Sequence, residues 1–169
     1  VNAKWVWFLG AGDLLEKNGL QAILSEIRNW NTDKIHVFGV DIAQPESGVP
    51  SHYPARWDHS MVWRNTSHHQ GIFYPSSLLK HHSFNCAFKV LADYGMHLSL
   101  FLGGIEAQLH PTSICSVESG GVSRRFDVKL YKEEWALKKN ILKGPVKWAH
   151  PFWLLFKYLV KKSGMPTRA

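Results

Sequence analysis

An α/β fold, a mixed sheet flanked by helices, is predicted by three stretches near the start of the chain. Trp5-Val6-Trp7-Phe8-Leu9 is an unbroken apolar run of aromatic and β-branched residues ending on Gly10, which suits a strand covered on both faces. Leu20, Ile23, Leu24 and Ile27 then recur at the spacing of one helical face. Lys34-Ile35-His36-Val37-Phe38-Gly39-Val40-Asp41-Ile42 reads as a second strand. Residues 5–42 are therefore expected to form a strand, a helix and a strand, the two strands being a parallel pair joined by a right-handed crossover.

Asp13 is the first residue with chemistry to offer. Gly10 and Gly12 allow a tight turn after the apolar run, and the turn delivers Asp13 into a loop. In open α/β sheets ligands sit outside the carboxyl ends of the strands, so an acid in this place is a site candidate. The alternative is that Asp13 only N-caps the helix that follows.

Residues 43–67 crowd Pro45, Gly48, Pro50 and Pro54 ahead of Trp57 and Trp63, and read as a long surface excursion, with a hairpin as one alternative. His68 to Pro75 reads as a short strand closed by proline. Neighbours on a strand point to opposite faces, so only one of His68 and His69 serves a given site. Ser76 to Lys80 is a short helix or turn. Leu91, Tyr94, Leu98, Phe101 and Leu102 share a helical face, with Asp93 near the helix start, where the macrodipole by itself favours an acid. Ile105–His110 and Ser113–Val117 read as two short strands, and Glu118 to Ser123 as a tight loop. Basic helices follow over Glu133–Lys143 and Pro151–Lys162, with Gly144-Pro145 as the break between them.

A chain of 169 residues, 45% hydrophobic and 13% aromatic, is long and apolar enough for one domain with its own core. The net charge of +7 is concentrated at one end: residues 124–169 hold 12 Lys and Arg against 3 Asp and Glu, while residues 1–123 hold 8 against 10. A domain over 1–123 and a basic helical tail over 124–169 follow. Trp148, Phe152, Trp153, Phe156 and Tyr158 interleave with Lys147, Lys157, Lys161 and Lys162 in that tail. This is the mix of an amphipathic helix in a lipid headgroup layer, so 145–162 is expected to meet a membrane surface. The alternative is that these aromatics pack on the domain. Tail charge alone is also what nucleic acid would attract, but nucleic acid is not an expected partner.

Cys86 and Cys115 lie far apart without C-x-x-C spacing, which indicates neither a zinc site nor a disulfide framework and suits free thiols in the cytoplasm. No apolar run approaches the ~20 residues of a membrane span. The first residues also lack the charged and apolar regions of a signal peptide.

Four segments together resemble the family 2 glycosyltransferases of GT-A (Rossmann-like) fold, particularly bacterial enzymes that assemble surface polysaccharides. Trp5 to Asp13 is similar to the family's W-x-x-F-L-x-A-D-D form of the D-x-D motif. His69-Gln70-Gly71-Ile72-Phe73-Tyr74 is similar to its H-Q-x-x-F-Y, Ala92-Asp93-Tyr94 to its A-D-Y, and Gly120-Gly121-Val122-Ser123 to its G-G-x-S. Each is weak alone; in order over about 115 residues they carry the likeness.

The resemblance implies that Asp13 would hold Mn²⁺ or Mg²⁺ against a nucleotide diphosphate and that Asp93 would be the general base toward the acceptor hydroxyl, inverting the stereochemistry. It also implies that Gly12 lies in the donor site, that His69 and Gln70 line the sugar or acceptor pocket, and that Gly120, Gly121 and Ser123 close over it. The partners implied are a nucleotide-sugar and a saccharide or lipid-linked acceptor, at the inner face of the plasma membrane. Two departures matter. Gly12 stands where the family commonly has an acid, and the likeness covers only the C-terminal half of the fold. A partial GT-A domain, inactive alone, is therefore expected, with a second copy or a missing N-terminal half beside its exposed edge strand. A non-catalytic carbohydrate-binding or protein-interaction module is the second reading.

Overall fold

The structure, a computed structural model, describes residues 3–45, 50–119 and 128–162. The chain divides into two compact units, Val1–Ser83 with Leu100–Ser119, and Phe84–Ser99 with Gly120–Ala169.

The first unit holds a six-stranded mixed sheet: β1 (Trp5–Trp7), β2 (Leu14–Leu15), β3 (Ile35–Ala43), β4 (His52–Tyr53), β5 (Ile72–Pro75) and β6 (Ala107–Glu118). Their order is β1-β5-β3-β6-β2, with β4 on β3 beyond the end of β5. β3 and β6 are parallel and the other pairs antiparallel. β3 is buried from Ile35 to Val40, as a central strand with both faces covered must be. Ile23, Trp30, Phe38, Val40, Ile42, Phe73, Ile114, Cys115 and Val117 form the core cluster.

Several sequence expectations change here. β1 and β3 run in the same direction but are not neighbours, because β5 lies between them; a long antiparallel return supplies what a simple crossover pair was expected to supply. The apolar run at Trp5 yields three half-buried strand residues on the sheet edge, and Leu9 is exposed. The two short strands expected over Ile105–His110 and Ser113–Val117 are one strand, β6. Its register against β3 slips between Leu109 and Cys115, where Pro111 has no N–H for the ladder. His69–Gly71 is a 3-10 turn leading into β5, not part of the strand. The excursion after β3 does pair as a hairpin through β4, yet Met61, Thr66 and Ser67 within it are buried.

α1 (Lys17–Glu26) covers β6. Ile23 is buried but Leu24 is 66% exposed, so the interior face runs through Gly19 and Ile23. A Cβ on Gly19 would lie 2.6 Å from the Ile114 Cα, and glycine is what lets the helix approach this closely. The same unit holds a histidine pair: His36 Nδ1 and His110 Nε2 are 2.9 Å apart, and Trp30 stacks on His36 with ring centroids 4.2 Å apart. Burial, reinforced by His110, pulls the His36 pKa down to about 4 against the pull of the Asn31 carbonyl, and burial also lowers that of His110. Both rings are held neutral by their surroundings. α2 (Ser76–His81) continues directly from β5.

The second unit is helical. α3 (Ala92–Leu102) starts in it; Tyr94, Met96, His97 and Leu98 are all buried, so the helix is covered around most of its circumference rather than along one face. α4 (Val128–Ile141) and α5 (Gly144–Lys162) pack together. Gly144-Pro145 begins α5 rather than merely ending α4: Gly144 turns the chain at φ +63° and Pro145 suits a first helical turn. Pro151 then lies inside α5.

Between α4 and α5 lies a buried ionic network. Lys138 Nζ donates to Glu134 Oε1 at 2.8 Å, and Lys157 Nζ donates to Glu134 Oε2 at 2.8 Å. The buried His150 Nε2 is 4.0 Å from the same carboxylate. Burial alone would raise the Glu134 pKa, but the two ammonium groups overcome it and hold it below the usual value. Lys138 is fully buried, and that burial brings its pKa down to about 8 despite Glu134. One carboxylate is shared by two lysines, Lys138 wholly buried and Lys157 partly exposed.

Candidate functional site

The segment Phe8 to Asp13 joins β1 on one edge of the sheet to β2 on the other. β2 pairs with β6 through Leu14 opposite Ser116, while Ala43 of β3 lies opposite Glu118. Continuing the first register brings Asp13 beside Val117 and Gly12 beside Glu118. Asp13 thus stands at the carboxyl end of the one parallel strand pair among the described residues, the place where α/β sheets receive ligands.

The local chemistry of Asp13 differs from helix capping. The N-cap of α1 is Glu16, which makes no side-chain cap bond. Asp13 Oδ2 instead accepts from the Gly10 N–H at 2.5 Å, and the Asp13 N–H donates to the Gly10 carbonyl at 3.3 Å, closing the loop on itself. Gly12 has φ +91°, a backbone conformation that an aspartate rarely adopts, so the acid expected of the family's motif does not suit this turn. A Cβ on Gly12 would lie 3.9 Å from Glu118 Cδ. Glu118 is consequently a second carboxylate beside the turn. Sequence reasoning missed it because only the β2–β6 register brings the two together.

His69 and Gln70 lie at the start of β5, on the same end of the sheet. Phe8 stacks on His69 with ring centroids 5.3 Å apart. The Gln70 carbonyl accepts from Trp7 Nε1 at 2.7 Å and from the Cys115 thiol at 3.6 Å. Both ends of the loop that carries Asp13 are thereby tied to the core: through Trp7 and Phe8 to the turn before β5, and through β2 to β6. Cys115 is buried, and burial together with Asp13, Asp41 and Glu16 pushes its pKa up to about 12, so it is a packed thiol and not a nucleophile.

Asp93 belongs to the second unit. It lies in the first turn of α3, where its Oδ1 accepts from the Tyr94 N–H at 2.7 Å. The two N–H groups just before the helix, of Val90 and Leu91, donate to Glu133 Oε1 at 2.8 and 2.9 Å. Glu133 on α4 therefore satisfies donors that a helix start leaves open, and it fixes the turn that presents Asp93. Gly120, Gly121 and Ser123 lie outside the described residues.

Among the described residues, no three or more His, Cys, Asp or Glu side chains are grouped to hold a metal ion. Mg²⁺-like cations are often held by one or two carboxylates with substrate phosphates and water completing the shell. Asp13, with one oxygen committed to Gly10 and the other oxygen outside that bond, and Glu118 beside it, fit that sparse mode.

No protein-family model matches the sequence, and no curated protein matches it. Among solved structures the chain is similar to Staphylococcus aureus TarS 1–349 in complex with UDP, with a TM-score of 0.52 and 14% identity over 98% of this chain and 48% of that one. It is similar also to a second structure of S. aureus TarS 1–349, with a TM-score of 0.53 and 15% identity over 97% of this chain and 48% of that one. The chain spans about half the length of these structures. The likeness establishes the fold alone: a glycosyltransferase-like α/β fold, a mixed sheet flanked by helices, matching about half of those structures.

Proposed function

We propose that this chain is part of an inverting glycosyltransferase that moves a sugar from a nucleotide-sugar to a saccharide or lipid-linked acceptor. The observation that carries the reading is the place of Asp13, at the carboxyl end of the parallel strand pair, in a fold shared with a protein whose structure holds UDP. In this reading Asp13, with Glu118 beside the same turn, faces the donor diphosphate. A divalent cation bound there would neutralise charge on the leaving phosphate. His69 and Gln70, at the start of β5, line the sugar pocket. Asp93 takes the proton of the acceptor hydroxyl as its oxygen attacks the anomeric carbon and the bond to the diphosphate breaks. With about half of the similar structures absent from this chain, it is expected not to turn over donor alone.

Isothermal titration with UDP and with GDP, each with and without Mn²⁺, tests this on the wild type and on Asp13→Ala. Cation-dependent binding that disappears in Asp13→Ala supports a diphosphate site. Absence of heat with every nucleotide overturns the donor-site reading and leaves a non-catalytic carbohydrate-binding or interaction module.

A further inference from the structure

α5 buries one side and leaves the other uncovered. His150 and Leu154 are buried, while Trp148 and Phe152 are each 75% exposed and Leu155, Phe156 and Leu159 are each more than half exposed. These five residues fall at i, i+4, i+7, i+8 and i+11, one continuous helical face. Trp153 and Tyr158, aromatics of the same basic tail, are half-buried and lie off this face, and Leu155 and Leu159 belong to it instead.

Charge indicates what covers this face. No Asp or Glu occurs from Trp135 to the last residue, and Lys143, Lys147, Lys161 and Lys162 bracket the apolar stripe at its two ends. A second copy laid on the same face would bring two wholly basic helices together, which like charge opposes. An anionic surface with an apolar layer beneath it matches both properties. No helix among the described residues is long and apolar enough to cross a membrane, so the match is to a helix lying in the interface plane.

We propose that α5 docks on anionic lipid bilayers, the stripe from Trp148 to Leu159 entering the headgroup boundary and the bracketing lysines meeting lipid phosphates. The inference uses neither Asp13 nor Asp93 and stands apart from the sugar-transfer reading. It is tested by sedimenting the chain with vesicles of phosphatidylcholine alone and of phosphatidylcholine with about one third phosphatidylglycerol. Binding to the anionic vesicles is expected to be at least about tenfold tighter. The exposed pair Phe152→Ser with Phe156→Ser should weaken it by about tenfold or more, and Lys147→Gln and Lys162→Gln by about fivefold each, with far-UV ellipticity unchanged in all variants. Equal binding to both vesicles, binding to neither, or an unaffected phenylalanine variant would overturn the proposal. A dimer in sedimentation velocity that the phenylalanine variant disperses, without vesicle binding, would assign the face to a second copy instead.

Discussion

Replacing Glu134 with Gln should be far more damaging than replacing Lys138 with Met, although the two side chains form one ion pair. Glu134→Gln removes the carboxylate lying 2.8 Å from both Lys138 and Lys157. Lys157 is partly exposed and can turn to water, whereas Lys138 is fully buried and cannot. Breaking a buried pair by removing one partner costs about 3–5 kcal/mol. The lysine has an escape that sets the ceiling: shedding its proton at pH 7 from an ordinary value near 10.5 costs about 4.8 kcal/mol, at 1.36 kcal/mol per unit. A loss of about 3–5 kcal/mol is therefore expected. In Lys138→Met, by contrast, Glu134 keeps both contacts from Lys157, at 2.8 and 3.1 Å, and a side chain of similar length fills the space. The change should lie within about 1 kcal/mol of wild type. Urea unfolding at pH 7 by far-UV ellipticity, with amide exchange along α4 as the local readout, measures both. A Glu134→Gln variant within 1 kcal/mol of wild type, or a Lys138→Met variant equally destabilised, would refute the reasoning.

Glu133→Ala strands the N–H groups of Val90 and Leu91 and should cost about 1–2 kcal/mol, with faster exchange at those two amides; Glu133→Gln keeps an acceptor and should recover most of it. Unchanged exchange at Val90 and Leu91 would show that Glu133 does not hold the start of α3. His36 and His150 have folded pKa values near 4, below the 6.5 of the unfolded chain. Between those values the unfolded state binds more protons, so stability rises with pH across the window and is lost as pH falls from 6.5 toward 4. The urea midpoint should accordingly be lower at pH 5 than at pH 7, and a flat or inverted profile would contradict the neutral, buried state of these rings.

Local pattern was legible in the sequence where burial is uniform. β3 reads from its concentration of apolar and β-branched residues to within one residue at each end, and α1 from its helical spacing. Pairing was not legible. The β1 run carries no mark that β5 will come between it and β3, and Pro111 looks like a strand end when it is a bulge in a single long strand. At the candidate site, the sequence picks out Asp13 by its place after two glycines, but capping and loop closure by an aspartate look alike until hydrogen bonds are known. Glu118 beside Gly12 and Glu133 beneath Val90 depend on contacts between residues far apart in the chain, which periodicity cannot encode.

The parallel pairing of β3 with β6 also sets a schedule for synthesis. From Gln44 to Glu106, 63 residues separate the two strands, and at ~5–20 residues per second a ribosome takes about 3–13 s to supply them. β5 emerges first and closes one flank of β3, but the other flank, with its unpaired backbone and its apolar side chains, waits for β6. Non-local closure of this kind is slow and leaves a sticky strand exposed. Yield of soluble chain should then depend on translation speed, temperature and chaperone supply more than on the stability of the finished fold.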